Sequence, residues 1–79
     1  MWVLNCGDLF PCGVFESKEK AETIIKKHKL KGTLTKYPVN ELVYDWAIEN
    51  KYFNPKDEKQ KTSEFIGNFS TAYQDHYHY

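Results

Sequence analysis

Two imidazoles stand two residues apart near the C-terminus, in the run Asp75-His76-Tyr77-His78. In an extended segment residues i and i+2 point to the same side, so His76 and His78 together could hold one metal ion. Asp75 would point away in a regular strand, and His28 could join only through tertiary contact. The pair therefore lacks the third ligand of a catalytic zinc site, and the competing reading is an aromatic tail packing its rings on a sheet. Cys6 and Cys12 form a second pair, Cys-x5-Cys, around an expected turn. The spacing is neither a redox nor a zinc motif. A disulfide is geometrically feasible, but two thiols in a chain without an export signal read first as reduced and partly buried. A Cys–His nucleophile could be assembled with His28 or His76, yet no activating motif stands beside either cysteine.

Asp45 and Glu49 lie one helical turn apart on the outer face of an expected helix. Acid–base work by paired carboxylates needs burial to separate their pKa values. On a solvated face they solubilise, or with Glu41 they form an acidic patch suited to a basic partner. Lys26, Lys27, Lys29, Lys31 and Lys36, with His28 among them, make the most basic region. It could attract a phosphate. The plainer reading is a helix C-terminus complemented by cations, because no glycine-rich phosphate loop accompanies it. The rings of Tyr37, Tyr44, Trp46, Tyr52, Phe53, Tyr73, Tyr77 and Tyr79 are the remaining signal. Spacing with Val43 and Ala47 assigns Trp46 to the core, while exposed tyrosines would serve as interface anchors or stack on a planar ligand.

Seventy-nine residues are expected to form one domain, residues 1–79, with a thin core. Six Tyr, five Phe and two Trp are more ring surface than such a core encloses easily, so some rings should face outward. Eleven basic residues balance eleven acidic ones, and every basic residue is Lys. With zero net charge and no guanidinium fork, sequence-specific nucleic-acid reading is not expected. The opening Met1-Trp2-Val3-Leu4-Asn5 runs straight into a strand-like stretch without a charged leader, and no run approaches the length of a membrane span. The expectation is a cytoplasmic chain that touches no membrane.

The elements that must position these groups follow from local pattern. Residues 2–6 and 13–16 read as two short strands of an antiparallel hairpin around Gly7-Asp8 and Pro11. Ser17 as N-cap, Glu19 in the first turn and Ala21, Ile24, Ile25 and His28 on one face predict a helix over 17–30. Glu22 is ordered for an i,i+4 pair with Lys26, and Gly32 serves as the residue that ends the helix. Residues 33–37 read as a third strand, stopped by Pro38, in a βαβ-like arrangement. Asn40 as cap and Glu41 in the first turn begin a second helix that ends near Asn50, with Val43, Trp46, Ala47 and Asn50 on one face and Tyr44 and Ile48 beside it. Residues 54–63, with five charges and no apolar side chain, read as a loop. Residues 64–70, with Phe65, Gly67 and Phe69 alternating, predict the fourth strand, while 71–79 carries no assignable period. The fold class is α+β: a small, mostly antiparallel sheet of about four strands in the order ββαβαβ, with two helices.

The runs WVLNCGDLFPCGVFESKEKAETII, LKGTLTKYPVNELVYDWAIENKYFNPK and EFIGNFSTAYQDHYHY cover almost the whole chain in order. They resemble a small bacterial domain family of unknown function, whose members look like WVF, FPSGVF, S-x-EKAE-x-WI, GTLT-x-YP, YDWA, FIG-x-F and HYHY. The resemblance implies one compact α+β unit and carries no activity with it. Cys6 and Cys12 stand where the resemblance leads one to expect small residues such as Gly or Ser, so a cysteine chemistry would belong to this chain and not to the family. It also leads one to expect a few residues beyond Tyr79.

No catalytic constellation emerges, so no enzyme and no cofactor is expected. The leading expectation is a small binding module with a protein partner, in the manner of immunity, antitoxin or inhibitor proteins. The alternatives are a domain for a nucleotide or other planar anion and a metal site at His76 and His78. For a small ligand the candidate contacts are Tyr37, Tyr44, Tyr73 and Tyr77 for stacking, with Lys27, Lys31 and Lys36 for phosphate.

Overall fold

Trp2 and Leu4 alternate with Val3 and Asn5, and that period of two sets the first strand's faces. In the computed structural model, which describes residues 1–7 and 10–79, β1 is Trp2–Asn5 and β2 is Gly13–Phe15. They pair antiparallel with Leu4 opposite Gly13 and Trp2 opposite Phe15. The Asp8 part of the expected turn lies outside the described residues. The chain divides into two units, one of residues 1–37 and 74–79, the other of residues 38–73.

In the first unit α1 spans Lys18–His28. Ser17 caps it as the sequence predicts, its Oγ accepting from the Lys20 amide at 3.2 Å. The helix ends one turn earlier than Gly32 would place it. Lys29 takes the left-handed conformation at φ 53°, and its amide closes back on the Ile25 and Lys26 carbonyls. Gly32 is required for a different reason: a Cβ there would collide with the Asn5 carbonyl oxygen and the Cys6 Cα, so only glycine allows this close approach to β1. β3 (Thr33–Lys36) pairs antiparallel with β1, and β4 (His76–His78) pairs antiparallel with β3. The order is β2-β1-β3-β4. β2 and β3 both oppose β1, so they run in the same direction with α1 crossing between them and β1 inserted in the middle, a split form of the expected βαβ unit.

Leu4, Leu34, Ala21 and Ile25 make the buried cluster between sheet and helix, with Trp2, Phe15 and Leu30 packed against it. Leu4 and Leu34 sit directly opposite one another in the β1–β3 ladder, each almost fully out of water. Burial of that kind stabilises by about 1.5–3 kcal/mol per side chain. Only Ala21 and Ile25 of the predicted helix face are buried, while Ile24 and His28 reach solvent. A four-stranded sheet of three- and four-residue strands offers one helix too narrow a footprint to cover the whole stripe.

In the second unit α2 spans Val43–Glu49. It begins later than Asn40 suggests: Asn40 adopts the left-handed conformation at φ 60°, and Leu42 takes the cap position without a side-chain bond. Asn tolerates that conformation better than most residues, so it turns the chain and does not cap the helix. The buried face is also rotated, with Tyr44 and Ala47 inside. A 3₁₀ turn at Glu58–Lys61 occupies part of the expected loop. The largest correction is at 64–70, where the predicted fourth strand is instead α3, Ser63–Gly67. Thr62 Oγ1 accepts from the Phe65 amide at 3.2 Å and Glu64 sits in the first turn, both N-terminal helix features. A strand would put Phe65 and Phe69 on one face and Ile66 on the other. A helical turn gathers all three within one face. The fourth strand is therefore β4, and the class is α+β with a four-stranded antiparallel sheet and three α-helices among the described residues.

Candidate functional site

α2 and the segments that follow it sort the rings of the second unit into two groups. Tyr44, projecting from the first turn of α2, is 7% exposed and meets Phe53, Phe65 and Phe69 at ring-centroid distances of 5.7, 6.3 and 5.5 Å, the last two edge-on. Its hydroxyl donates to the Gln60 carbonyl at 2.9 Å. That ring is spent on the interior. The other group faces outward. Tyr52 and Tyr73 stack face to face with centroids 4.4 Å apart and planes inclined by 3°, and Trp46 tilts against Tyr52 at 5.5 Å. Tyr52 is 46% exposed and Tyr73 64%. The Tyr52 amide donates to the Ala47 carbonyl at 2.8 Å, and the Tyr73 amide to Thr71 Oγ1 at 3.1 Å, so backbone bonds anchor both ends of the stack. Such a pair contributes about 0.5–1.5 kcal/mol beyond its buried area.

The same unit carries Glu41, Asp45 and Glu49. The Glu41 carboxyl is raised above its ordinary value, first by a hydrogen bond with the Glu49 carboxyl and further by desolvation and by the Glu49 and Asp45 charges. Glu41 thus feels the negative charge of Glu49 and Asp45, a crowding that an incoming cation would relieve. The same unit holds a depression of about 730 Å³, lined by Ile48, Lys51, Tyr52, Phe53, Lys56 and Gln60 among others.

In the first unit one sheet face is covered by α1, and the other is bare of any helix of that unit, with Val3, Asn5, Thr33 and Thr35 on it half-buried. The register sets Val14, Val3, Thr35 and His76 in one cross-strand row on the bare face, and Asn5, Thr33 and His78 in the next. A depression of about 510 Å³ lies there, lined by Val3, Asn5, Gly7, Thr33, Thr35 and Tyr37 with Pro11. His76 and His78 point the same way, as their spacing predicts, with ring centroids 5.4 Å apart. His76 Nδ1 lies 2.8 Å from the Gln74 carbonyl, which can only accept, so Nδ1–H is the donor of that bond. His78 Nδ1 lies 3.3 Å from Thr33 Oγ1. Among the described residues no third His, Cys, Asp or Glu joins them to complete a metal-holding group.

The remaining candidates of the first unit are spread out. Lys27 is exposed near the end of α1 and Lys31 just beyond it, while Lys36 closes β3 at the far end from Gly32. Tyr37 follows Lys36 and lines the bare-face depression. Tyr77 lies on the opposite, helix-covered face, 6.0 Å from Trp2, and the Lys18 ammonium sits 3.7 Å above its ring. The lysine that meets a tyrosine is thus Lys18, from the first turn of α1, and not the cluster at its end. Glu22 accepts from the Tyr79 hydroxyl at 2.8 Å in place of the predicted pairing with Lys26. Tyr73 is the candidate that stands in the exposed stack. Its partner Tyr52 is twenty-one positions away in sequence, with no local pattern to connect them.

The chain belongs to the DUF7710 family. The model of this domain of unknown function matches residues 1–79. No curated protein and no solved structure matches the chain. Among the described residues of this DUF7710 domain no helix is long and apolar enough to cross a membrane.

Proposed function

We propose that this DUF7710 domain is a non-enzymatic intracellular recognition module whose partner is a protein. The observation that carries the reading is the Tyr52–Tyr73 stack. Three phenylalanines and Tyr44 already fill the interior of that unit, whereas Tyr52 and Tyr73 order each other and keep their outer surfaces in water. Rings held before contact lose little rotamer freedom on binding, and Tyr and Trp are favoured binding anchors. Glu41, Asp45 and Glu49 add the electrostatic half, so the partner presents Lys or Arg around an apolar centre. The role proposed is of the kind played by small immunity, antitoxin and inhibitor proteins.

The test is capture from a lysate of the source organism with the wild type and with Tyr52→Ala/Tyr73→Ala. The wild type should hold one stoichiometric partner, weakened by salt, and the double variant should lose it. No stoichiometric partner, or one held equally by both, overturns the reading.

The depression beside Tyr52 favours a second reading, a planar anion such as a nucleotide. Tyr52 would stack on the base, and Lys51 and Lys56 would take the phosphate role that the sequence suggests for Lys27, Lys31 and Lys36. A thermal-shift series with nucleotides should then raise Tm by several degrees, abolished by Lys51→Ala/Lys56→Ala. A flat series removes this reading and leaves the first untouched.

A further inference from the structure

Cys6 follows the end of β1 and Cys12 precedes β2, and the ladder between those strands brings the two together. The Cys12 amide donates to the Leu4 carbonyl at 2.8 Å, continuing the pairing of Leu4 with Gly13. The two Sγ atoms lie 2.9 Å apart, and both cysteines are exposed free thiols. That separation exceeds a covalent S–S bond of about 2.05 Å by less than about 1 Å.

We propose that Cys6 and Cys12 are a thiol–disulfide exchange site that takes a low-molecular-weight disulfide as co-substrate and closes reversibly. The step balances as two exchanges. The thiolate of one cysteine attacks one sulfur of the small disulfide, breaking its S–S bond and releasing the first small thiolate. The second cysteine's thiolate then attacks the resulting mixed disulfide, forms the Cys6–Cys12 bond and releases the second. One S–S bond is broken and one formed. The two protein thiols are oxidised by two electrons, the co-substrate is reduced by two, and the two thiol protons pass to the two released thiolates.

A catalytic thiol is held below its ordinary pKa by a cation or a helix N-terminus, whereas the Cys6 thiol is raised, first by its hydrogen bond with Cys12 and then by desolvation. Closure also has a structural consequence. Gly7 and Pro11 lie inside the ring that the bond would close, and both line the depression on the bare sheet face with Val3, Asn5, Thr33 and Thr35. Oxidation ties down one wall of that depression. The recognition surface proposed above does not enter this inference.

The full chain in glutathione buffers of rising oxidised fraction, quenched by alkylation and weighed intact, tests it. Wild type should convert to a species lighter by two hydrogens, with neither cysteine alkylated, and dithiothreitol should restore both thiols. Cys6→Ser and Cys12→Ser should each accumulate glutathione on the remaining cysteine, while the wild-type mixed adduct stays below about one tenth of that level, because the second thiol acts at high effective concentration. Stable glutathione adducts on wild type, disulfide-linked dimers, or a wild type still fully alkylated under conditions that load the single variants would overturn the proposal. If a serine variant fails to fold, the wild-type adduct pattern decides alone. Amide exchange at Gly7 and Cys12 should slow on closure, and unchanged exchange sinks the wall-tying consequence.

Discussion

The two units build thin cores from different materials. Between sheet and α1 the interior is largely aliphatic, Leu4, Leu34, Ala21 and Ile25, and ladders pair the backbone of all four strands. In the unit of residues 38–73 the interior is a box of rings, and no strand lies among its elements. Its backbone groups lean on individual side chains: the Tyr44 hydroxyl bonds the Gln60 carbonyl, Gln60 Oε1 accepts from the Lys56 amide at 2.7 Å, and Asp57 and Thr62 cap its short helical turns. A ladder depends on pattern and survives most single replacements. A box tied by side chains depends on who stands at each position.

Replacement of Tyr44 should break that contrast most severely. Tyr44→Ala removes a ring that three phenylalanines touch and the donor to Gln60, and it should cost about 4 kcal/mol in urea unfolding. Tyr44→Phe keeps the ring and leaves the Gln60 carbonyl without this donor, at about 1 kcal/mol. Equal losses for the two would mean that the hydroxyl, and not the box, holds the unit. In the sheet unit, Leu34→Ala should cost about 3 kcal/mol, whereas the near-isosteric Leu34→Met should stay under about 1.5 kcal/mol because a patterned core tolerates swaps that keep volume.

The caps sharpen the comparison at smaller scale. Ser17→Ala and Thr62→Ala each remove one bond to an orphan helix amide, worth about 1 kcal/mol. α1 has eleven residues and packs on a sheet, so its loss should appear as fraying of the first turn. α3 has five residues and cannot sustain itself without its nucleus. Amide exchange should therefore show protection lost across α3 in the Thr62 variant and only at the start of α1 in the Ser17 variant.

The same contrast decided what could be read from the chain. β1, β2, α1 and β3 lie within a residue or two of their expected places, because alternation at Trp2–Asn5 and the Ser17 cap are local signals that agree with the packing. β4 carried no such signal: His76 and His78 are polar and exposed, and what makes 76–78 a strand is its pairing with β3, invisible along the sequence. Phe65, Gly67 and Phe69 satisfy a period of two as well as an i,i+4 contact. Alternation alone does not choose between them; the segment is helical where Thr62 caps the Phe65 amide and where Ile66 joins the face on which Phe65 and Phe69 meet Tyr44. The candidate site was legible in kind, as exposed rings, but not in membership. Trp46 reads as core by its spacing and yet shares contact with Tyr52, and Tyr52 meets Tyr73 only through the fold.

The smallest expected effect belongs to the sheet unit and isolates one side-chain bond. Tyr79 donates to the Glu22 carboxylate, and its phenol is pushed up to about 12 by desolvation, then by that bond and by the Glu22 and Tyr77 charges. The folded chain thus keeps the proton where the unfolded chain, at about 10, releases it. Between those values the unfolded state binds fewer protons than the native state, so stability falls as pH rises from about 10 to about 12 and is unaffected below that window. Because solvent reaches the ring, the contribution after screening is under about 1 kcal/mol. An ultraviolet titration of the phenols should show one late-titrating tyrosine, absent in Tyr79→Phe and shifted down toward its ordinary value in Glu22→Gln. A late phenol that persists in Tyr79→Phe would assign the effect to another ring and leave the α1–C-terminal contact without its electrostatic part.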